Sequence, residues 1–353
     1  MIDRMSFEPL YLQVKNDIIA MIEDGRIQIG DKLMSENEML QYYGVGRMTI
    51  RSALAELVSE GCIKKEQGLG SFCIAYPQKR RLNIDVLVDN TSIYFTPYVL
   101  KGISHVLEQN GCNLLLHDTK NSALQIKQQL DKILESGSDG VLLQPNTVDD
   151  PEVDLLPVLE KFRTMNIPIV LVCGIIDHAN CSSLSIDDDY GARIAAQYLL
   201  ESGHRKILGI FNNQQYGTAI RCQSFLDTMA QHPDARPYLI RNHDSYVEEM
   251  LHDIREEGVT AIQCCNDVVA VECLCLLNEN GISVPDDVSL VGYDNISMSL
   301  KTTPQLTTVS HPKDHLGSDA AQTLLQQIQS KQTAANSVVY RPDLVIRQSV
   351  RKL

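Results

Sequence analysis

The sequence predicts an α/β protein in two parts. A small N-terminal unit of three helices and a β-hairpin comes first, and a much larger doubly wound, parallel-sheet region follows. Three observations carry this. Apolar residues in the first 75 positions recur at helical spacing and end in a Gly-rich hairpin signal. From residue 84 the pattern changes to short apolar runs: IDVLV at 84, NLLL at 113, GVLLQ at 140, IPIVLV at 167, KILGIF at 206, AIQCC at 261 and SLVGY at 289. Runs without polar alternation, separated by helical stretches, suit parallel strands covered on both faces. Finally, 353 residues are enough for two or three domains with ample core. The boundaries expected are a first domain at 1–75, a polar, basic linker at 76–83 and a second domain at 84–353.

In the first domain Leu10, Val14, Ile18, Ile19 and Ile22 share a helical face, so residues 9–24 read as an amphipathic helix ended by Gly25. Ser35 and Glu38 form a capping box that opens a second helix, which runs to about Tyr43 with Gly44 as its C-cap. A third helix opens near Gly46, turns Ile50, Ala53, Leu54 and Leu57 inward, and stops at Gly61. Arg47, Thr49 and Arg51 are left facing out. Two strands, 62–65 and 71–75, flank a hairpin tip at Gln67-Gly68-Leu69-Gly70. The pattern is a winged helix-turn-helix, whose third helix is the element offered to the major groove of DNA. The alternative is a winged helix that binds protein. Arginines at a helix start favour phosphates and guanine edges over that alternative.

The formal net charge of −14 is unevenly placed. Residues 1–46 carry 4 basic and 8 acidic side chains, residues 47–81 carry 7 and 3, and residues 82–353 carry 20 and 34. The basic segment coincides with the third helix, hairpin and linker, and phosphate contact needs only local positive potential. No run approaches the length of a membrane span, and the start MIDRMSFEP has no export-signal pattern. No two of the ten cysteines have C-x2-C spacing, and most sit in apolar runs. Reduced, buried thiols in a cytoplasmic protein are expected, with no metal and no cofactor.

Doubly wound sheets bind ligands beyond the carboxyl ends of their strands. The polar residues there are Asp89, Asp118, Gln144, Asp187, Asn266, Asp267 and Asp294. Carboxylates and amides gathered in a cleft match a polyol, because every hydroxyl both donates and accepts. Each Asp has an equal claim to be a cap for the following helix. Asn266-Asp267 is the stronger ligand candidate, since a long apolar helix follows at once.

Two resemblances sharpen these readings. PLYLQVKNDI, GDKLMSENEML, GVGRMTIRSALAELVSEG and QGLGSF resemble the GntR family of bacterial DNA-binding domains across nearly all of residues 8–75. That resemblance implies that Glu36, Arg47, Thr49, Arg51, Gln67 and Gly68 face DNA. Met34 stands where the family has Pro, and Gly46 where it has Ser or Thr. From Ile84 to Arg347 the chain resembles the LacI/GalR effector domains. The segments are VLKGISHVLEQNGCNLLLHDTKN, SDGVLLQP, SIDDDYGARIAAQYLLESGHRKI, CCNDVVAVECLCLL, VPDDVSLVGYDN, TPQLTTVSHPKDHLG and VIRQS. This implies two periplasmic-binding-protein-like lobes joined by three crossovers, with ligand between them. Asp267 and Arg221 would bind it, Gln144 would face the cleft, and Tyr94 is a candidate platform for sugar stacking. Cys173-Gly174 replaces the family's Asp-Arg, Ser224 replaces a frequent Gly, and TSIYFT replaces the usual NPFF. The pairing of the two modules resembles the arabinose-operon repressors of Gram-positive bacteria.

The resemblance therefore implies a dimeric repressor on a palindromic operator, released by L-arabinose or a related sugar, with effector contacts at Tyr94, Gln144, Arg221, Asn266, Asp267 and Asp294. A ligand-activated or co-repressor-dependent regulator with a non-pentose effector is the alternative. From other classes stand an enzyme and a non-DNA-binding sugar carrier. No phosphate-binding G-x-x-x-x-G-K loop, H-E-x-x-H helix or G-x-S-x-G elbow is present, so no catalytic residue is assigned. Asp187-Asp188-Asp189 reads as helix-start charge rather than a metal site, and His204 as a turn residue.

Overall fold

In the computed structural model, residues 9–76, 81–89, 95–145, 153–211, 216–241, 246–330 and 335–353 are described. The chain divides into two compact units, Met1–Arg80 and Arg81–Leu353. The linker residues 77–80 lie outside the described residues, as does Tyr94.

The first unit contains helices α1 (Leu10–Glu23), α2 (Glu36–Tyr43) and α3 (Arg47–Ser59) and strands β1 (Ile63–Glu66) and β2 (Gly70–Cys73). The capping box is formed as the spacing requires. Glu38 N donates to Ser35 Oγ at 3.3 Å, and Ser35 N donates to the Glu38 carboxylate at 2.7 Å. Gly44 closes α2. Val14, Ile18, Ile22, Met39, Ile50, Leu54 and Leu57 make one core with Leu33, Ile63 and Cys73. β1 and β2 pair antiparallel, Ile63 opposite Cys73 and Glu66 opposite Gly70, and Lys32 bridges to Phe72. The hairpin sits one residue off its expected place, because Cys62 N is taken by Leu57 O in closing α3.

The second unit has two lobes, each a six-stranded sheet. The first sheet comprises β3 (Asn83–Val88), β4 (Asn113–Asp118), β5 (Gly140–Leu143), β6 (Ile169–Val172), β7 (Ser182–Ile186) and β13 (Ser337–Tyr340), in the order β13-β7-β6-β5-β3-β4. It is parallel throughout and carries α4 (Thr96–Gln109), α5 (Ala123–Ser136), α6 (Leu156–Thr164) and α11 (Lys313–Ser330). Apolar clusters lie on both its faces, one with α4 and α11, the other with α5 and α6.

The second sheet comprises β8 (Lys206–Ile210), β9 (Arg236–Ile240), β10 (Ala261–Cys264), β11 (Ser289–Tyr293), β12 (Thr307–Ser310) and β14 (Asp343–Val345), ordered β14-β12-β11-β10-β8-β9. Only β14 is antiparallel to its neighbour. α7 (Asp188–Glu201), α8 (Tyr216–Ala230), α9 (Tyr246–Arg255) and α10 (Asp267–Glu279) belong to this lobe. The chain crosses between lobes three times, from β7 to α7, from β12 to α11 and from β13 to β14.

All seven apolar runs are strands. Five further strands, β7, β9, β12, β13 and β14, are not among those runs. β7 (SSLSI) and β12 (TTVS) bury hydroxyls satisfied by neighbours: Gln327 Nε2 donates to Ser182 Oγ at 2.7 Å and Ser183 Oγ to Ser337 Oγ at 3.0 Å. β9, β13 and β14 sit at or next to sheet edges and need no apolar run. β4 departs in the other direction. Its run predicts cover on both faces, yet it is an edge strand that leaves Leu115 and Leu116 exposed at 43% and 46%. Among the described residues no helix is long and apolar enough to cross a membrane.

Candidate functional site

In the first unit, α3 presents Arg47 and Arg51 outward while Ile50, Ala53, Leu54 and Leu57 are buried, a division set by the 3.6-residue period. Thr49 is half-buried, and Gln67 and Gly68 are exposed at the hairpin turn, where Gly68 has φ +79. Arg47 Nη2 donates to Asn37 Oδ1 at 3.0 Å. The Glu36 carboxylate sits between two cations, accepting from Arg51 Nε at 3.1 Å and from Lys65 Nζ at 2.9 Å. Hydrogen bonds from Lys65 first and Arg51 second hold it below the usual Glu range. Glu36 thus joins α2, α3 and the hairpin through one charge. Gly46 gives the N-terminus of α3 no side-chain acceptor, so its first amides stay available to an incoming oxygen.

The second unit holds a cavity whose empty space, counted together with the open solvent at its mouth, is about 570 Å³. Asp89, Phe95, Thr96, Gln144, Cys173 and Ile186 line it from the first lobe; Asp188, Gly217, Thr218, Arg221, Asn266, Asp294 and His311 line it from the second. Strand ends supply most of them, as a doubly wound sheet dictates.

Arg221 is the centre of the charge. Its Nε donates to Asp188 Oδ1 at 2.7 Å and its Nη1 to Cys265 O at 2.7 Å. The guanidinium stacks 3.5 Å from the Tyr293 ring centroid, and Nη2 lies 3.7 Å from Asp294 Oδ1. Burial alone would lower the Arg221 pKa; Asp188, Tyr293 and Asp294 more than offset this and raise it. Asp294 shows the reciprocal balance. Burial pushes it up, but Arg221, His311 and Lys313 together bring it below the ordinary Asp value. Gln144 is buried, and its Oε1 has no hydrogen-bond partner among the described residues. A buried unpaired acceptor is costly unless something donates to it. Asn266 caps α10, its Oδ1 accepting from Val269 N at 3.0 Å, and its Nδ2 carries the two donors of the amide.

Of the polar strand-end residues, Asp89, Gln144, Asn266 and Asp294 meet in this cavity. Asp118 does not, being exposed with its carboxylate on Lys120 N, and Asp187 is the N-cap of α7, accepting from Tyr190 N. Asp267 lies behind the lining. It is fully buried, accepting from Thr308 Oγ1 at 2.5 Å and from Ile296 N at 2.8 Å. Burial, with help from the charge of Asp294, pushes its pKa up to about 7 against the lowering effect of the hydrogen bonds from Thr308 and Ile296.

Sequence reasoning missed Asp188, Tyr293 and His311. The signal for Asp188 was present. Three adjacent acids on a helix start fan out by about 100° per residue, so they cannot share one role. Here Asp187 caps, Asp189 pairs with Arg193 at 3.2 Å, and Asp188 alone turns into the cavity. His204 directly follows the turn at Ser202 and Gly203. It is fully buried between Thr260 Oγ1 (2.9 Å) and Arg351 O (3.2 Å), tying the C-terminal segment to the lobe.

Comparison with known proteins agrees with both halves. Residues 10–73 match the bacterial regulatory proteins of the gntR family, and residues 196–350 match the periplasmic binding protein-like domain. The arabinose metabolism transcriptional repressor of Geobacillus stearothermophilus is 30% identical over 359 residues, covering 98% of this chain and 98% of that protein. The repressor of the same name from Halalkalibacterium halodurans is 30% identical over 97% of this chain and 96% of its own length. A LacI family transcriptional regulator from Enterococcus faecium, solved with bound ribose, shares the fold: TM-score 0.66 and 23% identity, over 77% of this chain and 99% of that one. The chain belongs to the family of the arabinose metabolism transcriptional repressors, regulators rather than enzymes, with a GntR-type DNA-binding head and a LacI-type, periplasmic-binding-protein-like body.

Proposed function

We propose that this chain is a sugar-responsive repressor that acts in the cytoplasm, binds a palindromic operator as a homodimer and lets go when a small neutral sugar, L-arabinose or a relative, occupies the cavity. The observation that carries the effector class is the lining itself. Three carboxylates, Asp89, Asp188 and Asp294, line the cavity with a single guanidinium that Asp188 already engages. The excess of negative charge disfavours a phosphate or carboxylate ligand. The carboxylates and the unsatisfied Gln144 Oε1 accept from hydroxyls, while Arg221 and Asn266 donate to them. Asp267 enters this reading as a second-row contact that a hydroxyl reaches by displacing Thr308. Tyr94 remains the proposed stacking platform.

For the head, Arg47, Thr49, Arg51, Gln67 and Gly68 are the proposed DNA contacts, with Glu36 at their side. One recognition helix reads only a few base pairs, and a twofold axis doubles that. The exposed leucines of β4 support association, since an apolar edge strand is ordinarily covered. Closure of the lobes about the three crossovers then changes the spacing of the two heads.

An electrophoretic shift of promoter-derived duplex, with and without L-arabinose, tests this. Weakened binding with sugar is the expected result. Tightened binding would make the sugar a co-repressor, and indifference to all pentoses and hexoses would refute the sensor.

A further inference from the structure

Lys313 stands at the crossover from β12 to α11, where the chain passes from the second lobe to the first. It is buried, and a buried ammonium needs partners. Its Nζ donates to Asp294 O and to Asn295 O, each at 2.8 Å. Those two residues follow β11 with positive φ, 93 and 48, backbone that Asp and Asn adopt more readily than other non-glycine residues. The ammonium also lies 5.2 Å from the ring centroid of Tyr98 on α4. Two residues earlier, His311 places Nε2 3.1 Å from Asp294 Oδ1 and its ring edge-on to Phe95, at 5.1 Å, in the first lobe.

The far side of this contact is stiff. α11 lies so close on α4 that a Cβ at Gly317 would stand 2.0 Å from Val99 O. The two helices therefore pack as one block, in which Lys313 is the first residue of α11. The near side is the ligand cavity, where Asp294 and Arg221 face each other. The carbonyl partners of Lys313 belong to the second lobe and its aromatic partner to the first, so this one side chain touches both lobes at the crossover.

We propose that Lys313 is a positioning residue that touches no ligand but ties the Asp294 turn of the cavity to the α4–α11 block, so that occupancy of the cavity is passed to the rest of the chain through this crossover. The inference rests on the sugar-sensor reading above. It makes Lys313 matter for the response to sugar more than for the capture of sugar, since Arg221 and His311 still hold the Asp294 carboxylate without it.

The test uses the full chain, unsubstituted and as Lys313→Met and Lys313→Arg. L-arabinose affinity is measured by calorimetry, and operator affinity by fluorescence anisotropy with and without saturating L-arabinose. In the unsubstituted chain the sugar is expected to change operator affinity by roughly 5- to 150-fold. Lys313→Met is expected to shift sugar affinity and sugar-free operator affinity less than about fivefold while cutting the sugar effect to below about threefold, on the same coupling scale. Lys313→Arg, which keeps donors for both carbonyls, restores most of it. A full sugar effect in Lys313→Met overturns the proposal, and so does a loss of sugar affinity as large as the loss of response. If Lys313→Met gives no cooperative melt, Tyr98→Leu, which removes only the aromatic face, takes its place with the same expected split and the same overturning results. An unsubstituted chain whose operator affinity ignores L-arabinose and every other pentose and hexose overturns the sensor reading, and this inference with it.

Discussion

Arginine does opposite work in the two units. Arg51 on α3 pairs with Glu36 at 3.1 Å with more than half its side chain exposed; Arg221 in the cavity pairs with Asp188 at 2.7 Å with 11% exposed. The exposed pair is weak, because water screens it and the long side chains lose freedom in forming it. A weak pair is suited to partner exchange, so Arg51 can trade its carboxylate for a phosphate or base edge at small cost. The buried guanidinium is largely removed from solvent and is held by Asp188, Cys265 O and the Tyr293 face. It is a fixed part of the cavity wall. Exposure, more than residue type, separates the reading surface from the sensing one.

Substitutions that remove one partner of each pair put this contrast at risk. Asp188→Ala strands Arg221 without its main counter-charge, and should lower unfolding stability by about 3–5 kcal/mol, read by urea denaturation of the full chain. A loss below 1 kcal/mol would show that the guanidinium is adequately held without Asp188. Asp267, behind the cavity wall, also sets a pH dependence. The folded-state pKa of Asp267 is about 7 against an ordinary value of 3.8, so between those values the folded chain holds more protons than the unfolded one. Its contribution to stability is then present at low pH, falls as pH rises through that window, and is flat above it. The change amounts to at most roughly 4 kcal/mol. Asp267→Asn should flatten this part of the pH–stability profile, and an unaltered profile would rule out titration there.

The exposed side predicts smaller effects. Arg47→Ala should weaken operator binding by about 1–3 kcal/mol if it reads a guanine, with sugar affinity intact. Loss of sugar binding instead would break the division of labour between the units. Glu36→Gln should leave stability within about 0.5 kcal/mol, because both its partners are exposed. A larger loss in the thermal melt would make the Arg51–Glu36–Lys65 cluster structural, and the comparison with Arg221 would fail.

Elements were legible where local rules decide them. The capping box at Ser35 and Glu38, the inward face of α3 and the seven apolar strands all follow from period and spacing, which act over a few residues. The strands of Ser and Thr and the edge strands were not legible in that way, since their stability lies in partners such as Gln327, 145 positions from Ser182. The site divided likewise. Gln144, Asn266 and Asp294 were found from their place after strands. Asp188, Tyr293 and His311 were not: the three adjacent acids show locally that they cannot share one role, but only the packed chain says which of them turns inward to a guanidinium 33 residues away.

By itself the sequence determined the two kinds of module, the order in which they come and which arginines face outward, because periodicity, caps and turn residues are short-range properties. Only the tertiary structure decided which carboxylates share the buried arginine, that Asp267 stands behind the cavity wall rather than in it, and that a lysine at the β12–α11 crossover touches both lobes. Burial and partner choice are properties of the packed chain, set by contacts between residues far apart along it.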